Sequence, residues 1–194
     1  MLCLLLAGQA FAGERDAPSI HSGIYEGLML AVAPDGAIQG SFRERQGEGV
    51  VKSCAFFLSG KLSGAGGTSV VTWAAQSLPG TISATSEGVR LAIPQGREHA
   101  GCGLVLLPQI DDGIDLDLTR DAKWIGLSRI TGAKVNFRAK PGDAAELRAY
   151  VVRNDIVGVI SRQSDWLQIE FVNDRGKASI GWIPASQTAP LSVP

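Results

Sequence analysis

Histidine and cysteine are scarce in this chain, with two and three among 194 residues. They stand far apart and lack the spacing of zinc ligands, so neither a metal site nor a cofactor is expected. No Gly-x-Ser-x-Gly stretch presents a serine nucleophile, and no glycine-rich loop opens onto a helix to cradle phosphate. An excess of one charge is also missing: the net charge is −1 and the pI is near 6.1. Nucleic acid is thereby disfavoured as a partner, because phosphate binding needs a concentrated basic surface. No apolar run reaches the roughly 20 residues that span a bilayer as a helix. Helical periodicity is hard to find. Glycine is abundant, at 24 residues, and short alternating segments lie between turn signals. Together these predict an all-β chain.

The first residues read as an address. Leu2 to Ala7 is apolar, and Ala10-Phe11-Ala12 before Gly13 fits the small-x-small rule for signal peptidase, so residues 1–12 are expected to be a signal peptide. No Lys or Arg precedes the apolar run, so the basic n-region is missing and a truncated signal peptide, with its start upstream, is the expectation. No cysteine follows the cleavage site, and lipid attachment is not expected there. The mature chain would be periplasmic or secreted. It would keep two cysteines, Cys54 and Cys102, whose pairing is expected in an oxidising compartment. That bridge closes a loop of about 49 residues, worth roughly 4 kcal/mol in the chain-entropy model.

Residues 13–123 read as an N-terminal antiparallel barrel or sandwich of about eight strands. Residues 23–33 form the first strand and meet the turn Pro34-Asp35-Gly36, where proline presets φ and glycine accepts a positive value. The next segments are 37–45, 50–58 with Cys54, and 70–73 after the flexible loop at 63–67. Residues 81–85 and 89–93 form a hairpin about Glu87-Gly88. Residues 101–107 carry Cys102, and the alternation of Ile114, Leu116 and Leu118 with Asp115 and Asp117 marks the last strand. The Tyr-x-Gly opening and Asp-Gly-x-x-x-Gly hairpin look loosely like small secreted barrels of the avidin or lysozyme-inhibitor kind, which licenses no ligand. Trp124 joins the halves and is expected either between them or sealing the end of one barrel.

Residues 124–188 are organised around a tryptophan hairpin. Trp166, Gln168 and Glu170 alternate with Leu167, Ile169 and Phe171, the period of a half-buried strand. A turn through Asn173, Asp174 and Gly176 returns the chain to Gly181-Trp182-Ile183-Pro184. Upstream lie strands at 135–142, 147–155 and 156–160. This order resembles the bacterial SH3-like domain, a five-stranded barrel of cell-envelope proteins. The resemblance rests on Val135-Asn136-Phe137-Arg138 before a proline loop, the Asn154-Asp155 turn, Asp165-Trp166, and Gly181-Trp182-Ile183. Asn154 stands where the family prefers glycine, and asparagine is the natural substitute at a left-handed position. The resemblance covers about residues 127–188; residues 189–194 are expected to be a loose tail.

Chemistry is sparse. His99-x-x-Cys102 has the superficial look of a thiol protease site, but a sulfur bonded to Cys54 is no nucleophile. Asp111, Asp112, Asp115 and Asp117 read as a turn and a solvated strand face rather than a calcium site. No catalytic residues are assigned. The resemblance implies a shallow aromatic groove for peptide, with Tyr150, Trp166 and Trp182 as candidates and Asn136, Arg138 and Asp165 as polar neighbours. Core packing competes for Trp182, which sits in a strand expected to close the barrel; Phe137 reads as core. Charge is uneven: residues 13–126 carry 9 Lys+Arg against 13 Asp+Glu, and residues 127–194 carry 9 against 6. Opposite signs would help the halves dock, or draw the second to an acidic surface.

The expected function is contact: an exported, non-enzymatic binding protein whose SH3-like module meets a cell-wall peptide or an envelope protein. The rival is an inhibitor or immunity-type protein that blocks a secreted or periplasmic hydrolase through an exposed, rigid loop near Cys54 or Cys102. A cell-wall enzyme of unrecognised type would instead show a deep pocket holding His99 or paired carboxylates.

Overall fold

A computed structural model describes residues 18–63, 67–191 and 193. The expected signal peptide and the centre of the 63–67 loop lie outside the described residues. The fold is all-β. Eight strands, β1 (Gly23–Tyr25), β2 (Leu28–Val32), β3 (Ala37–Gln46), β4 (Lys52–Lys61), β5 (Thr68–Trp73), β6 (Ser77–Ala84), β7 (Gly88–Ala92) and β8 (Ile114–Asp121), form a closed antiparallel barrel in chain order. Alternation builds its wall: on β3, Ile38, Gly40 and Phe42 are buried between less buried neighbours. Because β1 pairs with both β2 and β8, no barrel edge is left open. An eight-stranded barrel is just wide enough for side chains to fill. Here Phe42 stacks on Phe56 at 4.8 Å, and Leu28, Leu30, Leu58, Ile82 and Leu91 are fully buried around them.

Two expectations for this half need correction. Residues 23–33 are a hairpin, not a strand: the chain reverses at Glu26-Gly27, with Gly27 at φ +73°, so that Tyr25 faces Leu28. Residues 101–107 are not a strand either. Residues 96–111, which contain that segment, carry three short 3-10 turns, Gly96–Glu98, Cys102–Leu104 and Pro108–Asp111. Gly101 sits at φ +82°, and a Cβ there would meet the Ser53 carbonyl oxygen at 2.4 Å. Strand geometry is therefore broken just before Cys102, whose sulfur is bonded to Cys54 on β4. Val105, Leu106 and Ile110 turn into the barrel core, making the segment a plug. One strand was split and one lost, and the number eight survives.

His99 enters the core with that plug, 1% exposed and stacked on Phe56 at 5.1 Å. The Thr72 hydroxyl donates to the Leu78 carbonyl, so at 2.9 Å it accepts from His99 Nε2–H. Nδ1 is then the bare nitrogen, and it has no partner. Burial lowers the His99 pKa below the ordinary imidazole value of 6.5. The unfolded chain consequently binds more protons than the native one below about pH 6.5, and stability falls as pH is lowered through that window. Urea melts at pH 7.5 and pH 5 should show this loss. In His99→Gln the contribution disappears, and an unchanged slope would refute the assignment.

The second half contains β9 (Gly126–Ile130), β10 (Lys134–Asn136), β11 (Tyr150–Val152), β12 (Ile156–Gln163), β13 (Trp166–Val172), β14 (Ala178–Pro184) and β15 (Thr188–Pro190). Five of these form one sheet in the order β14-β13-β12-β9-β15, and β10 and β11 form a separate ribbon. Val135, Phe137 and Val151 from the ribbon segment meet Val157, Leu167, Ile169 and Ile183 of the sheet in one core. Phe137 is fully buried, as read from the sequence.

The membership of the five differs from expectation. The strands placed at 135–142 and 147–155 contract to β10 and β11 and pair with each other, while β9 and β15 complete the sheet. Of the expected loose tail at 189–194, residues 189–191 are held in place. Through Pro190 the chain pairs along β9, whose edge would otherwise carry unpaired backbone groups. Leu191 is buried, and its carbonyl accepts from Gln39 Nε2 on the barrel at 3.3 Å. Asn154 does adopt the left-handed conformation, at φ 72°.

Trp124 resolves the question of the junction. It is 1% exposed, in a cluster with Ala31 and Trp73 of the barrel and Leu127 and Leu191 of the second half. Its indole N–H donates to Glu170 Oε2 at 2.9 Å, and Arg120 of β8 pairs with the other oxygen of that carboxylate. Gln39 Oε1 accepts the Leu127 amide at 2.8 Å. The halves are thus joined by an apolar cluster with a buried carboxylate at its margin.

Candidate functional site

Strand register decides which candidate residues meet. On β13, Leu167 and Ile169 face the core, so Trp166, Gln168 and Glu170 share the opposite face. On β14, Gly181 and Ile183 are buried, with Phe137 lying against Gly181. Trp182 therefore points outward. The core-packing alternative for it fails because Gly181 and Ile183 occupy the inward positions. In the β13–β14 ladder Trp182 lies opposite Gln168, and Trp166 lies opposite Pro184. Directly opposed residues of an antiparallel pair share a face at short range, so both tryptophans belong to one outer surface.

The ribbon continues that surface. Arg138 forms a β-bridge with Trp182, through Arg138 N–H to the Trp182 carbonyl at 2.8 Å and the reverse bond at 2.9 Å. Its guanidinium is held by the Ala144 carbonyl and by Glu146 Oε1, the latter at 2.9 Å. Asn136 lies opposite Tyr150 on the ribbon, and Lys134 Nζ sits 4.4 Å from the centre of the Tyr150 ring. Tyr150 is half exposed. Asp165 is exposed at the β12–β13 turn, where its backbone carbonyl accepts the Ala185 amide at 2.8 Å. Arg138, Trp166 and Trp182 are thus brought together, Asn136 and Tyr150 form a neighbouring pair, and Asp165 stands at the rim.

No family model, curated protein or solved structure matches this chain. The chemistry of the surface must carry the assignment.

Three residues of the aromatic face escaped the sequence reading. Gln168 and Pro184 lie between or opposite the tryptophans, and Ile180 is 54% exposed on the same face of β14. The period of two in both arms held that signal, since residues two apart on a strand point the same way.

The residues weighed for other chemistry are engaged elsewhere. Cys102 is bonded to Cys54, and His99 serves the barrel core. His21 Nε2 lies 3.0 Å from Asp121 at the barrel surface. Asp115 pairs with Arg90 at 3.0 Å, and Asp111 Oδ1 accepts the Gln95 amide at 2.9 Å. Among the described residues no three His, Cys, Asp or Glu side chains converge as metal ligands, and no helix is long and apolar enough to cross a membrane.

Two further surfaces stand out, a cleft with no signal in the sequence and an exposed tip beside Cys102 of the kind the inhibitor reading requires. A cleft of about 610 Å³ opens between the barrel and the β13–β14 hairpin. At the disulfide end of the barrel, Leu104 and Leu107 project from the plug, 68% and 65% exposed, and Val50 of the β3–β4 loop is 84% exposed. The Gln46 amide reaches the Val105 carbonyl at 3.2 Å and ties that loop to the plug.

Proposed function

We propose that this is a non-enzymatic binding protein of the cell exterior, whose second module resembles bacterial SH3-like domains and holds a peptide or glycopeptide feature of the envelope. The observation that carries the reading is the outward register of Trp166 and Trp182 on one face with Arg138 bridged beside them. Two rigid aromatic rings supply contact area with few torsions to freeze, and a clamped guanidinium offers directed donors to a carboxylate. The Cys54–Cys102 bridge supports an oxidising, extracytoplasmic compartment. The test is sedimentation of the full chain with purified peptidoglycan. The double variant Trp166→Ala/Trp182→Ala should weaken retention about tenfold or more while leaving the melting curve of the barrel in place. Equal retention of variant and parent would sink this reading.

The disulfide-pinned tip favours a second reading, inhibition of a secreted hydrolase. Leu104 and Leu107 are apolar, exposed and held on short turns beside Cys102, as an inserting loop requires. Against a panel of purified cell-wall hydrolases, inhibition by the parent and its loss in Leu104→Asp/Leu107→Asp would support it. Absence of inhibition across the panel would count against it.

A further inference from the structure

We propose that the cleft between the barrel and the second module is a binding site for a short zwitterionic peptide, its carboxylate on the barrel side and its ammonium on the other. The site shares no residue with the aromatic face and stands independently of that reading. Its volume of about 610 Å³ lies within the range of small-ligand sites, which occur preferentially where two modules meet.

The two walls carry opposite charge. The barrel contributes Arg43 from β3 and Arg120 from β8, and the second module contributes Asp155 before β12 and Asp174 in the β13–β14 turn. Among the described residues Arg43, Asp155 and Asp174 form no ion pair. Asp155 spends one oxygen on the Val152 amide at 2.8 Å and keeps the other. Arg120 is anchored through Nη2 to Glu170, which fixes the position of its remaining donors. Between the walls Met29 and Ile156 provide apolar lining.

The pattern selects its ligand by elimination. A simple anion would gain from the arginines and be repelled by the carboxylates; a simple cation would meet the reverse. A neutral apolar molecule would desolvate four charged groups without replacing their water. A molecule with a carboxylate at one end, an ammonium at the other and an apolar side chain between satisfies all three surfaces. A short peptide with free termini has that arrangement. The Trp124–Glu170 contact and the Trp124 cluster hold the walls in place before binding, so little ordering is lost when the ligand enters.

The test is an NMR titration of the full isotope-labelled chain with leucyl-leucine, N-acetyl-leucyl-leucine and leucyl-leucinamide. Leucyl-leucine should shift the amides of Met29, Arg43 and Asp174 saturably, and bind about tenfold more tightly than either blocked form. Both Arg43 and Asp174 are exposed, so substitutions there leave the fold intact. Asp174→Asn should erase the advantage of leucyl-leucine over its acetylated form, and Arg43→Gln should erase its advantage over the amide. Equal binding of all three peptides, shifts confined to Trp166 and Trp182, or no saturable shift at millimolar peptide would each overturn the proposal.

Discussion

Replacing both Cys54 and Cys102 by alanine is expected to cost the barrel roughly 4 kcal/mol, the chain-entropy value for a loop of about 49 residues. The bridge joins positions 48 apart in sequence and ties the plug to β4. Without it, the segment carrying His99, Val105, Leu106 and Ile110 is held by packing, by its turn hydrogen bonds and by a few bonds to the barrel, such as His99 to Thr72 and Gln46 to Val105. The second core, with Phe137, Val157, Leu167, Ile169 and Ile183, contains no part of the bridge. Native-state hydrogen exchange reads the two cores separately. Amides of β4 to β7 should exchange roughly a thousandfold faster in the variant, which is that free energy expressed as an opening constant. Amides of β12 to β14 should change far less. Equal acceleration of both groups would show that barrel and sheet unfold as one cooperative unit.

Trp124→Ala is expected to destabilise the protein by about 3–5 kcal/mol, the range for removing a buried aromatic side chain. Trp124 is 1% exposed, and its ring lies so close over Gly158 that a Cβ there would fall 2.2 Å from the indole. Removing the ring opens a void between β12 and the barrel. It also takes the indole donor from Glu170, whose side chain is 7% exposed and retains only Arg120. A carboxylate left half-partnered in that setting adds to the cost. Gly158→Val approaches the same boundary from the other side, by driving a side chain into the indole. Both variants should loosen the junction. Urea denaturation measures the loss, and small-angle scattering should show a larger radius for the Trp124→Ala chain. A loss under about 1 kcal/mol with unchanged dimensions would mean that Trp124 is not the joint.

The rigid junction matters for function. The aromatic face lies on the outer side of β13 and β14, and Glu170 continues that face inward to the barrel. One strand thus carries the partly buried Trp166 on the outer face at one end and anchors the interface at the other. A ligand on the aromatic face and a ligand in the cleft would rest on the same hairpin, since Asp174 sits in the turn that joins β13 to β14.

Much of this molecule was decided within short stretches of sequence. Alternation in 114–118 and 166–171 predicted strands, because a pleated backbone sends successive side chains to opposite faces whatever lies nearby. The turn at Pro34-Asp35-Gly36 and the left-handed Asn154 followed from the torsions those residues tolerate. The two cysteines that lie beyond the expected signal peptide predicted the bridge that forms. Long-range packing decided the rest. Residues 101–107 have strand-like composition, yet a left-handed Gly101 and the bond to Cys54 turn them into a plug. Trp182, in a strand expected to close the barrel, reads as core before surface, but the pairing of β13 with β14 gives the inward positions to Gly181 and Ile183. Nothing near Glu170 in sequence announces that it will be buried against Trp124 and Arg120, or that Arg43 and Asp174 will face one cleft. Those placements depend on how one folded sheet docks against another, and the contacts that set docking join residues that local backbone preference never brings together.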